Sequence, residues 1–210
     1  MKLIYRGAES LVYSDDYEGE KAIIKERIPK SYRIKQLDDK LRKERTKKEI
    51  KLLTEARKIG VSTPRILHVD EKNFKIVMEK IDGAMVRDFL NSASGKDIER
   101  VCLEIGKLVG KLHQNNIVHG DLTTSNMILK DGMVYFIDFS LGDISSRAED
   151  KGVDLNLFSE ALSSTHFKIY DKCWHNFLEG YRQEYLNAKQ IIEKVKEIKK
   201  RVRYAERGES

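Results

Sequence analysis

The sequence predicts an α+β fold with two lobes, a β-rich N-terminal lobe over residues 1–83 and a reduced helical C-terminal lobe over residues 84–210. Short apolar segments separated by turn-forming residues dominate the first part, which is typical of a small antiparallel sheet. After Ile81-Asp82-Gly83 the apolar residues recur at spacings of three and four, which is typical of amphipathic helices. A chain of 210 residues is long enough for two small lobes and too short for several domains.

The N-terminal lobe is predicted to hold five strands and one helix. Gly7-Ala8-Glu9-Ser10 forms the turn between the first two strands, and the third strand ends at Lys25. A charged helix is expected from about residue 37 to residue 59, where Gly60 ends it. The predicted strands are residues 2–6, 11–14, 22–25, 66–69 and 75–80.

The C-terminal lobe is predicted to begin with a long amphipathic helix. Apolar residues from Ile98 to Leu112 recur at helical spacing. Two short apolar strands, 127–129 and 133–137, flank an Asp-Gly turn and predict a hairpin. Residues from 154 to about 200 predict two or three further helices, the last of them polar and basic.

The strongest functional signal is the run from His119 to Asn126, followed by Asp138 at the end of an apolar strand. The predicted hairpin would bring Asn126 and Asp138 to the same end of two paired strands. These two side chains offer the hard oxygen ligands that Mg²⁺ or Mn²⁺ prefers. Asp121 is the candidate general base or hydroxyl orienter. The pattern is typical of phosphoryl transfer in the protein-kinase superfamily, and the alternative is a surface loop with an unrelated Asp.

Lys25 is the candidate contact for the α- and β-phosphates of ATP. It ends an apolar strand, and it precedes the Asp and Asn residues in the order that kinases use. Such a lysine needs a carboxylate to orient it, and Glu49 is the best candidate, with Glu44 and Glu55 as substitutes. A lysine at a strand end could also simply reach solvent. The predicted catalytic set is therefore Asp121, Lys25 and Glu49.

The predicted nucleotide site combines a phosphate-covering turn at residues 7–10 with apolar contacts to adenine. The backbone of residues 79–81, beside the predicted hinge at residues 81–83, is expected to bind the edge of adenine. The turn holds one glycine, so an ordinary β-turn is the alternative. The expected cofactors are ATP and Mg²⁺ or Mn²⁺. The expected nucleotide-binding residues are Gly7, Ala8, Glu9, Val12, Ala22, Lys25, Glu79, Ile81 and Ile128.

Two further polar residues are expected to support the site. His119 is expected to pack against the metal-binding strand, which ends at Asp138, and to orient the catalytic loop, residues 119–126. Asp154 is expected either to cap a helix that opens there or to bond the backbone of the catalytic loop.

The net charge of +6 is unevenly distributed. Residues 21–58 hold fifteen Lys and Arg against six Asp and Glu, and a second basic run closes the chain at residues 194–207. Two basic clusters suggest a phosphate-rich partner such as RNA, and a solvated helix face is the alternative. Two cysteines without metal-type spacing favour the cytoplasm, and no apolar run approaches the roughly 20 residues of a membrane helix, so no membrane partner is expected.

Matching segments over nearly the whole chain resemble the small atypical kinase family of the KEOPS (EKC) complex, which makes threonylcarbamoyladenosine on tRNA. They include residues 7–9, 60–64, 119–126 and 150–155, and residues 30–38 are the most specific to this family. The resemblance implies a protein-kinase-like fold, Mg-ATP binding, autophosphorylation on Ser/Thr and ATPase action in support of the tRNA-modifying enzyme. It implies three partners: the threonylcarbamoyl transferase subunit, a small bridging subunit on the N-terminal lobe, and tRNA through the basic tail.

The chain departs from ordinary protein kinases at several positions. Gly120 and Thr123 stand where Arg and Lys are usual, and only 72 residues follow Asp138, too few for a long activation loop. Ser140 replaces the usual Gly after Asp-Phe, which is expected to stiffen that turn. A small-molecule phosphotransferase of the aminoglycoside or choline kinase type remains an alternative, although this chain is short and basic for one. A nucleotide-binding scaffold is a third possibility, which the intact set of Lys, Asp, Asn and Asp disfavours.

Overall fold

The computed structural model describes residues 1–208, with side chains described as far as residue 201. A five-stranded antiparallel sheet fills the N-terminal part, with strand order β1-β2-β3-β5-β4. All five predicted strands are confirmed with small shifts at their ends. The strands are β1 (Lys2–Arg6), β2 (Ser10–Tyr17), β3 (Glu20–Arg27), β4 (Ile66–Asp70) and β5 (Lys75–Glu79).

Helix α1 (Lys35–Lys58) follows β3 and packs beside the sheet. Leu52, Leu53 and Ala56 anchor its C-terminal half in the main apolar core, because their spacing places them on one face. Thr46 and Glu49 continue that buried face toward the N-terminus of the helix. The helix therefore carries a carboxylate to the sheet at a buried position.

The second half of the chain is mainly helical, with one confirmed hairpin. Met127 pairs with Phe136, and the turn at Asp131 and Gly132 has positive φ at both residues, as a tight hairpin requires. The elements are β6 (Ala84–Met85), α2 (Val86–Ser92), α3 (Gly95–Gln114), β7 (Ile117–Val118), β8 (Met127–Lys130), β9 (Met133–Phe136), β10 (Asp143–Ile144), α4 (Ala148–Thr165), α5 (Tyr170–Glu184) and α6 (Ala188–Gly208).

Helices α3 and α5 pack closely because each offers a glycine to the other. A Cβ at Gly106 would lie 2.0 Å from the Phe177 carbonyl oxygen, and one at Gly180 would lie 2.0 Å from that of Leu103. The main core spreads from this contact to α4, α6 and the hairpin. It forms the rigid base on which the polar loop between β7 and β8 rests.

Helix α4 corrects one expectation, because it begins at Ala148 and Asp154 lies in its interior. Asp154 therefore does not cap a helix. Helix α2 and the two-residue strands β6, β7 and β10 were not expected from the sequence. The division at residues 83 and 84 stays a prediction. No helix within residues 1–208 is long and apolar enough to cross a membrane.

Candidate active site

Lys25 lies at the centre of a charged cluster between the sheet, α1 and the segment after β9. Its Nζ donates to Glu49 Oε1 at 2.7 Å and to Asp138 Oδ1 at 2.7 Å. Lys25 and Glu49 are buried. Burial alone would lower the pKa of Lys25, but Glu49 and Asp138 raise it above its ordinary value. Glu49, rather than Glu44 or Glu55, is thus the partner of Lys25.

Arg27 and Ser140 complete this cluster, and sequence reasoning did not include them in the site. Arg27 lies two residues beyond Lys25 on β3, so both side chains leave the same face of the strand. Arg27 donates to Glu49 Oε2 at 2.5 Å, while Lys25 donates to Ser140 Oγ at 2.8 Å. The alternation of the strand was the signal that could have found Arg27.

Asp138 combines a strained backbone with a half-exposed carboxylate. Its φ of 61° lies in the left-handed region, which costs a non-glycine residue about 1 kcal/mol. Burial would raise the pKa of Asp138, but Lys25 and Ser140 lower it to about 2. Ser140 Oγ donates to the same oxygen at 2.5 Å. The carboxylate is therefore ionised and held in place while 40% of the side chain remains exposed.

Asp121 and Asn126 face each other across the catalytic loop. Asn126 Nδ2 donates to the Asp121 carboxylate at 2.8 Å and to its backbone carbonyl at 2.9 Å. These bonds leave the second carboxylate oxygen of Asp121 and the amide oxygen of Asn126 available to other groups. The short helical turn Thr124–Asn126 sets the spacing between the two residues.

His119 is held in one tautomer by backbone groups. Its Nε2 lies 3.1 Å from the Ile137 carbonyl, and its Nδ1 accepts from the Asp121 N–H at 3.3 Å. The ring packs on Phe139 with centroids 4.5 Å apart. These contacts fix the orientation of the ring against the backbone of the catalytic loop.

Asp154, in the interior of α4, binds the backbone of the catalytic loop. Its carboxylate accepts from the His119 N–H at 2.7 Å and from the Gly120 N–H at 2.9 Å. His113 Nε2 lies 3.2 Å from the same carboxylate, and its Nδ1 lies 2.9 Å from the Tyr181 hydroxyl. Burial would raise the pKa of Asp154, but His113 and the loop amides lower it. Sequence reasoning missed His113 and Tyr181, because both read as ordinary core positions of α3 and α5.

Gly120 is required by the path of the catalytic loop. Its φ is 77°, and a Cβ would lie 2.2 Å from the Leu141 carbonyl oxygen. No side chain fits at this approach without a shift of the backbone. This explains physically why the arginine usual in protein kinases is absent here.

The oxygen donors of Asn126 and Asp138 are of the kind that a divalent ion prefers, and nucleotide phosphates would have to supply the remaining ligands. Within residues 1–208 no three His, Cys, Asp or Glu side chains converge as an all-protein metal site. Magnesium is commonly held by one or two side chains plus substrate phosphates, which matches this donor set. Mg²⁺ or Mn²⁺ binding stays a prediction.

The other predicted nucleotide-binding residues lie on the sheet and at the hinge. Ala22 on β3 is fully buried opposite Glu79 on β5, and Val12 on β2 lies opposite Lys25. Ile81 is buried, and Ile128 lies on β8. The Glu79 side chain instead accepts from Arg65 at the surface. Their assembly around adenine stays a prediction.

The turn at Gly7 and Ala8 is closed by a bond from the Gly7 N–H to the Ser10 carbonyl at 2.9 Å. The Glu9 carboxylate accepts from Arg33 at 3.2 Å and from Arg45. The predicted cover for the phosphates is therefore tied to α1 and to the loop before it.

Part of the basic tail is structural. Ile191, Val195 and Ile198 of α6 are buried against the rest of the helical part. Lys199 donates to Ser159 at 2.5 Å, and Arg201 donates to Glu149. Exposed lysines remain at positions 196 and 200, whereas the predicted tail residues Arg203 and Arg207 lie outside the described side chains.

The comparisons with known proteins identify the family of this chain. A family model for the RIO domain matches residues 14–142. The chain is 45% identical to the KEOPS complex subunit Bud32 of Pyrococcus abyssi, over 99% of this chain and 98% of that protein. This chain belongs to that family of RIO domain proteins.

Longer relatives and one solved structure extend the comparison. The chain is 44% identical to a probable bifunctional tRNA threonylcarbamoyladenosine biosynthesis protein of Methanobrevibacter smithii, and it spans about a third of that protein (36%). The solved structure of WaaP in complex with acyl carrier protein matches 95% of this chain and 88% of that chain with a TM-score of 0.66 at 14% identity. This low identity shows the fold alone. The predicted kinase-like two-lobed fold class is confirmed.

Proposed function

We propose that the protein is an atypical kinase and ATPase that binds Mg-ATP and supports threonylcarbamoyladenosine formation on tRNA. The observation that carries the proposal is the cluster of Lys25, Glu49 and Asp138 next to the loop that pairs Asp121 with Asn126. Phosphoryl transfer needs mainly charge neutralisation and positioning, and these residues offer both. The names of the relatives support the link to this tRNA modification.

Each residue of the site has a role in the proposed reaction. Lys25 neutralises the α- and β-phosphates, and Glu49 fixes its ammonium group. Asn126 and Asp138 hold the divalent ion, which would neutralise charge on the phosphates. Asp121 accepts a hydrogen bond from the attacking hydroxyl or water. If water accepts the phosphoryl group, the reaction is ATP hydrolysis. If a Ser or Thr hydroxyl of the protein accepts it, the reaction is autophosphorylation.

The proposed partners are the threonylcarbamoyl transferase subunit near the active site, a small bridging subunit on the N-terminal lobe, and tRNA on the tail. The longer relatives are named bifunctional and match this chain over about a third of their length, which supports a second activity working beside a kinase-like part. Within the described tail, Lys196 and Lys200 are the exposed lysines, and Lys196 would exchange its bond to Glu193 for an RNA phosphate.

The test measures where the label of γ-labelled ATP goes, as free phosphate or bound to protein. Each reaction is run with Mg²⁺ or with a chelator, and with the transferase subunit and the tRNA each present or absent. We expect Mg²⁺-dependent release of free phosphate that tRNA and the partner accelerate. Asp121→Asn should lower turnover about a hundredfold or more, because a general base typically raises the reaction rate by a factor of about 10²–10⁴. Lys196→Ala with Lys200→Ala should weaken only the stimulation by tRNA and its salt dependence.

Two results would contradict parts of the proposal. Equal turnover by wild type and Asp121→Asn would remove the catalytic assignment and favour a nucleotide-binding scaffold. If the label accumulates on protein, and its amount is the same with and without tRNA, the result would favour a Ser/Thr kinase acting on a protein partner.

A further inference from the structure

Five basic side chains, here called the basic cluster, surround Glu9 beside the turn at Gly7 and Ala8. They come from the end of β3, the loop after it and the first half of α1. They line a small pocket of about 10 Å³ together with Ile28. The basic cluster consists of Arg27, Lys30, Arg33, Arg42 and Arg45.

Most of the basic cluster depends on the turn for its partners. Arg27 and Arg42 are the exceptions, since Glu49 accepts from Arg27, and Asp38 and Asp39 accept from Arg42 at 2.7 and 2.6 Å. Arg33 donates to Glu9 at 3.2 Å and lies 3.6 Å from Asp38, while Arg45 donates to Glu9. Lys30 donates to the Ala8 carbonyl. If the turn moves, these cations lose their main acceptors.

Arg27 joins the basic cluster to the Lys25 site. One of its nitrogens donates to Glu49, which also holds Lys25. Its Nε is buried without a partner among the described residues, and the side chain is only 4% exposed. Arg45 precedes Glu49 by one helical turn on the same face of α1, about 6 Å along the helix axis. The basic cluster therefore adjoins the lysine proposed to hold the α- and β-phosphates.

We propose that Arg33 and Arg45 form a second phosphate site, which the Glu9 carboxylate fills in this structure and the terminal phosphate of a bound nucleoside triphosphate takes over. A guanidinium binds either oxyanion with two parallel hydrogen bonds, so the exchange keeps both arginines paired. Glu9 is suited to leave, because its side chain is 35% exposed and can enter water. This inference rests on the proposed function, and it assigns a role to the segment of residues 30–38.

The test measures binding of a non-hydrolysable ATP analogue and of AMP with Mg²⁺ by titration calorimetry. Arg45→Met and Arg33→Met should each weaken binding of the analogue about tenfold or more and leave AMP binding unchanged, since each removes charge-assisted hydrogen bonds to the terminal phosphate. Glu9→Gln should tighten binding of the analogue several-fold, because it removes the charge that competes with the phosphate and keeps the shape of the side chain. Lys40→Met removes a charge from an exposed position of the same helix and should change neither ligand.

The sign of the Glu9→Gln effect decides the inference. Weaker analogue binding in that variant would show that Glu9 clamps the turn and would overturn the exchange. Equal losses for analogue and AMP in the arginine variants would also overturn it, since they would indicate damage to the whole pocket. Wild type that binds neither ligand would contradict the proposed function as well, whereas wild type that binds both with unchanged variants would contradict this inference alone.

Discussion

Asp138 and Asp154 are two ionised carboxylates beside the same catalytic loop, but their surroundings differ. Asp138 is paired with the cation Lys25, has a strained backbone and keeps 40% of its side chain exposed. Asp154 is 2% exposed, accepts from two backbone amides and lies 3.2 Å from Nε2 of His113, whose pKa is lowered by burial. The Asp138 carboxylate can exchange its partners for a ligand, whereas both oxygens of the Asp154 carboxylate are already hydrogen-bonded.

This difference separates binding from support within one site. The region around Asp138 holds several charges whose mutual attraction a phosphate or a metal ion could replace. The region around Asp154 forms a satisfied buried network, and such networks fix geometry because an unpaired member costs its full desolvation. We therefore expect substitutions at Asp154 to act on stability and those at Asp138 to act on ligand binding.

Asp154→Asn should have the largest effect on stability, a loss of about 3 kcal/mol in the free energy of unfolding. An amide offers one acceptor oxygen, so its NH₂ group would face a backbone N–H donor and leave it unpaired. Urea denaturation measures the change. Asp150→Asn on the same helix is the matched control, because Asp150 is half-exposed and bonds only to nearby groups. Equal losses in the two variants would show that the network does not hold the loop.

The sequence predicted the parts of this comparison that rest on regular spacing. The periods of α1 and α3, the hairpin and the pattern from His119 to Asp138 all followed from residue type and order. The pairing of Lys25 with Glu49 followed as well, because a buried lysine needs a carboxylate and the next helix supplies one. These features depend on local sequence.

The rest depended on contacts between distant segments. Helix α4 begins after Arg147, which makes no side-chain cap, so the usual start signal is missing. The two-residue strands β7 and β10 exist only because Val118 meets Asp143 across the fold. Arg27 resembled an ordinary charged strand end, and its burial follows from Glu49, 22 residues away. Local propensity marks neither the start of α4 nor this strand pair, and the alternation of β3 marks only the face on which Arg27 lies.

Gly120→Ala should have the second largest effect on stability, a loss of about 2 kcal/mol. The alanine would suffer the left-handed backbone, and its Cβ would also meet the Leu141 carbonyl at 2.2 Å. Gly132→Ala is the matched control, because its φ of 78° is nearly the same but the nearest atom lies at 3.5 Å. Thermal unfolding of both variants isolates the close approach. A loss no larger than in Gly132→Ala would show that the loop can shift away from Leu141.

The smallest expected effect is the pH dependence of the Asp138 contribution to stability. Against the effect of burial, Lys25 and Ser140 lower the pKa of Asp138 from 3.8 to about 2, so the stabilisation is present above pH 3.8 and is lost as the pH falls toward about 2. Because solvent screens a half-exposed carboxylate, we expect a contribution of about 1 kcal/mol or less.

Asp138→Asn tests this contribution, since asparagine tolerates the left-handed backbone and cannot ionise. Urea denaturation at several pH values should show wild type more stable near neutrality, with an advantage that fades below pH 3.8. Asp131→Asn removes a carboxylate at another positive φ, in the exposed hairpin turn, and should show no such advantage. A constant difference down to pH 2 would mean that the ion pair with Lys25 does not stabilise the fold.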